Sequence, residues 1–242
     1  NLTAAKVFSS QPIEEAQGPG APPEQDSIFV WYKADAQSFS DGALADPILD
    51  SGPNGYHLNT HGNPPGPLQM PLFASNVLNG LPVFKWTTTD IFSRTVTSFN
   101  PPGITYVMVV RKTILGGGGV FINPFASSGF QYGLRLFDSG TTDSRYQAQS
   151  ANLTVSLIVP LGTWQIVSFT MDDTEGIPRL KTNFLSGAGS AEPGSQNIIQ
   201  MRLQGVNDMQ IAESIGWIKK LSDSSLHDAR AYLSAKYNIP VT

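Results

Sequence analysis

Asp172, Asp173 and Glu175 form the densest acidic cluster in this sequence, and carboxylates held close together are what acid–base chemistry on a glycosidic bond needs. The common hydrolytic route holds two of them across the scissile bond, roughly 5–10 Å apart. Gly176 and Pro178 follow the cluster directly, so it reads as a solvated turn after a strand, and the other acidic residues are scattered. His57 and His61 are four apart, a spacing that serves zinc on a helix, but Pro and Gly surround them and forbid one. The run Gly116–Gly119 is followed by Val120, where a phosphate loop needs Lys and then Ser or Thr. No Gly-x-Ser-x-Gly elbow occurs. Cysteine is absent, which removes disulfides, thiolate metal sites and thiol nucleophiles. These residues predict a binding or assembly module and no enzyme.

Binding chemistry is better represented. A pyranose presents an apolar face that stacks on an exposed aromatic ring, and hydroxyls that pair with Asn, Asp or Arg. Trp86, Tyr132, Arg135 and Asp138 offer that combination. Trp31, Trp164 and Trp217 lie in apolar strands and are expected in the core. Trp86, followed by three Thr and Asp90, fits a core position or an exposed platform, and Tyr132 sits on an alternating strand that allows either. Charged residues make up 14% of the chain and the net charge is −4; basic residues cluster only as the pairs Arg111–Lys112 and Lys219–Lys220. No basic stripe for nucleic acid exists, and no apolar run approaches the ~18 residues of a membrane span.

The elements that must position these residues are mostly strands. The 23 Gly and 18 Pro fit many short strands and turns. Residues 1–26 are rich in Pro and Gly without apolar period, and read as an extended arm. The chain starts at Asn1 without Met or a leader-like apolar segment, so a processed or excised product is expected. From Ser27 to the end, one β-domain is expected, residues 27–242. Strands are read at 27–33, 81–86, 92–96, 104–111, 120–122, 130–136, 153–159, 163–171, 178–184, 198–203 and 210–218, with residues 37–80 mostly loop and a second loop over 185–197. ITYVMVVR at Ile104–Arg111 is the strongest of these and is expected to be central.

One helix closes the chain. Ser222 is placed to cap it, Asp223 lies where the helix dipole is positive, and Leu221 and Leu226 have the spacing of a hydrophobic staple. Leu226, Ala229, Leu233 and Tyr237 make one apolar stripe; Asn238 and Pro240 end it. About a dozen strands and a lone helix predict an all-β, two-sheet antiparallel sandwich.

The segment IAESIGWIKKLSDSSLHDARAYLSAKYNI, residues 211–239, resembles the closing strand and helix of the LamG-like group in the concanavalin A-like lectin/glucanase superfamily. WYKAD at Trp31–Asp35, DSGPNGYHL at Asp50–Leu58, NGLPVFKW at Asn79–Trp86 and GTWQIVSFTMDD at Gly162–Asp173 resemble further pieces of that pattern, in the right order. The resemblance implies a jelly roll with its binding site on a concave face or rim loops. Glucanases of that superfamily carry a Glu-x-Asp-x-x-Glu strand, which is missing here. Some members bind calcium at the rim, where Asn123, Asp138 and Asp143 supply oxygen donors suited to Ca²⁺. The expected function is a non-catalytic, lectin-like module on an extracellular or virion surface, binding a glycan or a protein partner, with residues 1–26 fixing it to a larger assembly. Two alternatives stand beside it: a structural subunit of a phage virion, and a diverged polysaccharide hydrolase or lyase.

Overall fold

The computed structural model describes residues 20–60, 71–87, 90–99, 101–113, 119–126, 133–138, 143–150, 153–172, 177–188, 198–205 and 208–242. Fifteen strands run in chain order: β1 (Ile28–Lys33), β2 (Asn59–Thr60), β3 (Leu72–Leu78), β4 (Leu81–Trp86), β5 (Asp90–Phe99), β6 (Gly103–Lys112), β7 (Gly119–Ala126), β8 (Gly133–Asp138), β9 (Asp143–Ser150), β10 (Leu153–Pro160), β11 (Gln165–Asp172), β12 (Arg179–Lys181), β13 (Ser186–Ala188), β14 (Ile198–Gly205) and β15 (Met209–Trp217). The helix α1 (Asp223–Tyr237) follows. The expected all-β class with one terminal helix is what the chain forms. One sheet has the order β13-β12-β11-β6-β15-β4-β3, and the other β10-β9-β8-β7-β14-β5-β2. Every pairing is antiparallel.

β15 is the spine of the first sheet. β6 pairs along one side of it, while β1 pairs with Glu213–Trp217 and β4 with Met209–Ile211 on the other. Every residue of β15 is buried. β6 is apolar on both faces for the same reason: strands covered on both sides lose the alternating pattern. Ile104, Tyr106, Met108 and Val110 point into the sandwich core with Phe84, Val167 and Phe169. Val107 and Val109 point the other way, to α1, where Ile166, Ala212, Ile215, Ala229, Leu233 and Tyr237 form a second core.

α1 ends as its sequence predicts. The Ser222 side chain accepts the Ser225 amide at 3.1 Å, and Asn238 takes a left-handed φ of 50° at the other end. Leu221 and Leu226 both join the core beneath the helix. Asn79 and Gly80 join β3 to β4 with φ of 50° and 81°, the paired positive values of a tight hairpin turn whose twist suits the flanking strands.

Three expectations about elements need correction. β3 lies inside the stretch read as loop, because Asn76 takes φ 55° and the register shifts between Ala74 and Leu78. That bulge destroys the period-2 pattern by which a strand is recognised. β9, DSRYQAQS, is missing from the strands read from sequence; only Tyr146 and Ala148 interrupt its polar residues. The expected strand at 178–184 is instead the hairpin β12–β13, turning at 182–185.

Candidate functional site

Polar side chains on the outer face of the first sheet line a pocket of about 340 Å³. Ser168 and Thr170 of β11 alternate with Val167, Phe169 and Met171, which face the sandwich core. Arg179 and Lys181 of β12 alternate with Leu180 in the same way. Register then sets them in rows: Ser168 opposite Lys181 opposite Ser186, and Thr170 opposite Arg179 opposite Ala188. Residues directly opposite on one face stand ~5 Å apart, so each row is continuous. Asp223 and Leu226, from the first turn of α1, wall the pocket on the helix side. Phe184 projects from the β12–β13 turn, two residues before Ser186, and is 60% exposed.

Arg230 lies behind this surface, 1% exposed. Its guanidinium donates to Ile166 O at 3.0 Å, Ser168 Oγ at 3.3 Å and Thr182 O at 2.6 Å. All three acceptors are neutral, and burial lowers its pKa to about 10. The helix stripe read from sequence omits Arg230, since a charged residue is not expected inside; its fork of donors is what lets it bind two backbone carbonyls there.

A second constellation gathers residues that carried the family resemblance. Glu213 of β15 is fully buried. Its Oε1 accepts Trp31 Nε1 at 2.5 Å and Tyr232 OH at 3.2 Å. Its Oε2 accepts Lys236 Nζ at 2.6 Å and Tyr237 OH at 2.9 Å. Lys236 also reaches Asp35 Oδ2 at 2.9 Å. Trp31 and Asp35 belong to WYKAD, Glu213 to the closing strand, and the other three to the helix. This network fastens α1 to β1 and β15. Burial and the neighbouring Glu213 carboxylate both raise the Tyr232 and Tyr237 hydroxyls, the opposite of what an activated phenol needs. No substrate reaches Glu213 beneath the helix.

The DSGPNGYHL segment is likewise a fastening. Asp50 Oδ1 accepts the amides of Trp31 and Gly52, and Oδ2 that of Tyr56, each within 2.9 Å. His57 Nδ1 accepts the Asp50 amide at 3.0 Å, so this ring orders its own loop; His61 lies outside the described residues. Asn79, in the β3–β4 turn, donates its side-chain amide to Tyr237 O at the end of α1.

Those of the residues expected to bind sugar that are described do not all share a sheet. Trp86 is fully buried on β4, edge-on to Phe84 at 6.4 Å, so its ring is core and offers no platform. Arg135 and Asp138 lie on β8, in the other sheet. Tyr132 falls outside the described residues. Of the calcium candidates, Asp138 ends β8 and Asp143 begins β9, at one end of the same hairpin. Asn123 follows Ile122, which pairs with Leu134, and so stands level with Gly133. That is five residues along β8 from Asp138, or roughly 17 Å at strand rise, too far for a shared ion. Of the N-terminal arm, residues 1–19 lie outside the description. Its last part rests on the same chain: Pro23 O accepts Trp217 Nε1, and Glu24 pairs with Lys219.

No family model matches this chain, and no curated protein sequence does. Solved structures do match its fold. Trypanosoma rangeli sialidase in complex with sialic acid is similar over 86% of this chain and 33% of its own, with 11% identity and a TM-score of 0.56. The same sialidase in complex with 2,3-difluoro-KDN covers 95% of this chain and 36% of its own, at 13% identity and a TM-score of 0.55. Domain 4 of AbnA, a GH43 extracellular arabinanase from Geobacillus stearothermophilus, in complex with arabinotriose, is similar over 84% of this chain and 98% of that domain, at 15% identity and a TM-score of 0.53. The chain thus spans about a third of the sialidase it matches and nearly all of the arabinanase domain. Its β-sandwich is of a kind found in carbohydrate-active proteins.

These matches overturn the expectation that the chain is no enzyme. A sialidase and an arabinanase each contain a stretch with this fold, so the fold gives no ground for excluding an enzyme. Nor does the missing carboxylate pair exclude one, because some glycoside hydrolases work without such a pair.

Proposed function

We propose that this chain is a glycan-binding β-sandwich domain of an extracellular carbohydrate-active protein, related to the concanavalin A-like group, and that it binds sugar in the pocket beside α1. The observation carrying this reading is the double row of outward polar residues. Thr170, Lys181 and Ser186 line the pocket with donors and acceptors for hydroxyls and Asp223 with an acceptor; Phe184, in the β12–β13 turn, is an exposed ring. Sites of this kind use a few fixed polar groups for orientation and an aromatic face for contact area. The AbnA domain in complex with arabinotriose supports a carbohydrate ligand. The buried Trp86 does not serve in this site.

The test is calorimetric titration of the purified chain with oligosaccharides, arabino-oligosaccharides and oligogalacturonates among them. Ala188 is exposed on the edge strand at the pocket wall. Ala188→Trp fills the pocket, should abolish binding, and should leave the melting temperature within ~2 °C. Undiminished binding by Ala188→Trp would remove the pocket from the proposal.

A further inference from the structure

One side chain of the β3–β4 turn ties that hairpin to the end of α1. Tyr237 O lies in the last turn of the helix, where a carbonyl has no partner within the helix itself. Tyr237 is fully buried, which keeps the carbonyl from water. Its donor is the side-chain amide of Asn79. Asn79 is there because the turn demands it: Asn79 and Gly80 take φ of 50° and 81°, and Asn-Gly adopts that pair of values with little strain. The same pair is open to attack by its own backbone. Gly80 has no side chain to shield its amide nitrogen, and even a Cβ there would meet nothing within 4 Å. Leu78 pairs with Leu81, so the Gly80 amide stands outside the ladder. Both turn residues are exposed.

We propose that Asn79 is a site of spontaneous deamidation, and that its product frees the C-terminal end of α1. The Gly80 amide nitrogen attacks Cγ of Asn79. A bond forms between that nitrogen and Cγ, the Cγ–Nδ2 bond breaks, and Nδ2 leaves as ammonia with the proton of the Gly80 amide. Water then opens the cyclic imide. Attack at Cγ leaves aspartate; attack at the main-chain carbonyl carbon leaves isoaspartate, with the chain running through Cγ. Water is consumed, ammonia is lost, and the change is one-way. Either product gives up the donor that Tyr237 O needs and gains a carboxylate. Acceptor then faces acceptor, and the new negative charge lies at the negative end of the helix dipole. Isoaspartate also adds a backbone atom to a turn whose length sets the hairpin register. Asn54–Gly55 is the other Asn-Gly pair in the sequence. Its side chain is tied to Phe29 O at 3.0 Å and not to the helix, so its conversion leaves α1 in place.

The test ages the full chain in warm, mildly alkaline buffer and follows each Asn by peptide mass spectrometry, with Asn54→Gln in every sample to silence the other pair. Residue 79 should convert ahead of the remaining Asn residues. The aged chain should melt about 5 °C below the fresh one, as should Asn79→Asp. Hydrogen exchange should quicken at the amides of Asn238 and Ile239, which bond to Ser234 O, and stay slow at Leu226, which bonds to Ser222 O. Asn79→Gly accepts the positive φ and removes the donor without adding charge, so it should lose about half as much. The gap between Asn79→Gly and Asn79→Asp should close in acid, where the carboxyl is neutral. If the urea-unfolded chain converts at residue 79 and the folded chain does not, the fold shields Asn79 and the proposal fails. Conversion with exchange unchanged at Asn238 and Ile239 overturns the release of the helix end. Equal melting of Asn79→Gly and Asn79→Asp at neutral pH overturns the part given to charge.

Discussion

Lys236 and Glu213 form an ion pair whose acidic half never meets water: Nζ lies 2.6 Å from Oε2, and Glu213 is 0% exposed. Removing one side of such a pair leaves a buried charge uncompensated, which typically costs about 3–5 kcal/mol. Lys236→Met should therefore lower unfolding stability by about 3 kcal/mol or more in urea. Asp35 touches the same ammonium from a more exposed position, with 27% of its side chain accessible. Asp35→Asn should cost ~1 kcal/mol or less. Equal losses from the two substitutions would contradict the view that Glu213 is the charge the lysine serves.

Gly216 is present because nothing larger fits. A Cβ there would lie 2.3 Å from Cε1 of Tyr106 and 3.0 Å from Cγ2 of Val30, on a strand paired on both sides. The ring of Tyr106 is 2% exposed and has no room to withdraw. Gly216→Ala should destabilise by about 1–3 kcal/mol, the usual cost of overpacking. Tyr106→Leu in the same chain should recover part of that loss. A double variant as unstable as the sum of the two singles would show that the contact is not the cause.

Glu24 holds the end of the N-terminal arm to Lys219. The hydrogen bond from Lys219 and then that from Ser225 keep its carboxyl below the ordinary value of 4.5. The unfolded chain thus binds a proton on Glu24 before the folded chain does as pH falls. The contribution is complete above about pH 4.5 and is lost as pH drops through the lower folded value. Its size is that of an exposed pair, roughly 0.2–1 kcal/mol. Glu24→Gln should flatten the stability profile between pH 5 and 3 by about that much, read by thermal melts. An unchanged profile would mean that Lys219 does not hold the arm.

The fold was legible where side-chain chemistry is local, and the site was not, because it is made by register. Ser222, Asn238 and the Leu226–Tyr237 stripe state a capped helix within one stretch of sequence. The doubly covered β6 states its own centrality through the apolar run from Tyr106 to Val110. Trp86 is different: the polar Thr run after it left a core position and a platform both open, and the structure buries it edge-on to Phe84. Ser168, Lys181 and Ser186 come from three strands and mean nothing until pairing sets them in a row. The alternation of Ser168 and Thr170 with Val167, Phe169 and Met171 was the one available signal, and it says only that this face is polar. Two of the motifs behind the family resemblance, WYKAD and DSGPNGYHL, proved to be fastenings around Glu213 and Asp50, so they report fold.

Arg230 links that fold to the pocket, and its removal tests the link. Its guanidinium satisfies Ile166 O and Thr182 O, carbonyls at the two strands that bear Ser168 and Lys181, and holds Ser168 Oγ directly. Arg230→Met keeps much of the side-chain volume and removes a buried charge, which favours the variant. It also strands two carbonyls and one hydroxyl, each worth about 1–3 kcal/mol when buried without a donor. The second effect should win, for a net loss of about 2–4 kcal/mol in urea denaturation. Arg230→Lys keeps the charge but can reach fewer of the three acceptors, and should fall between the variant and the parent. Should Arg230→Met prove neutral or stabilising, the guanidinium would be a tolerated burden of this core, and the spacing of β11 and β12 at the pocket would have to be set by the strands alone.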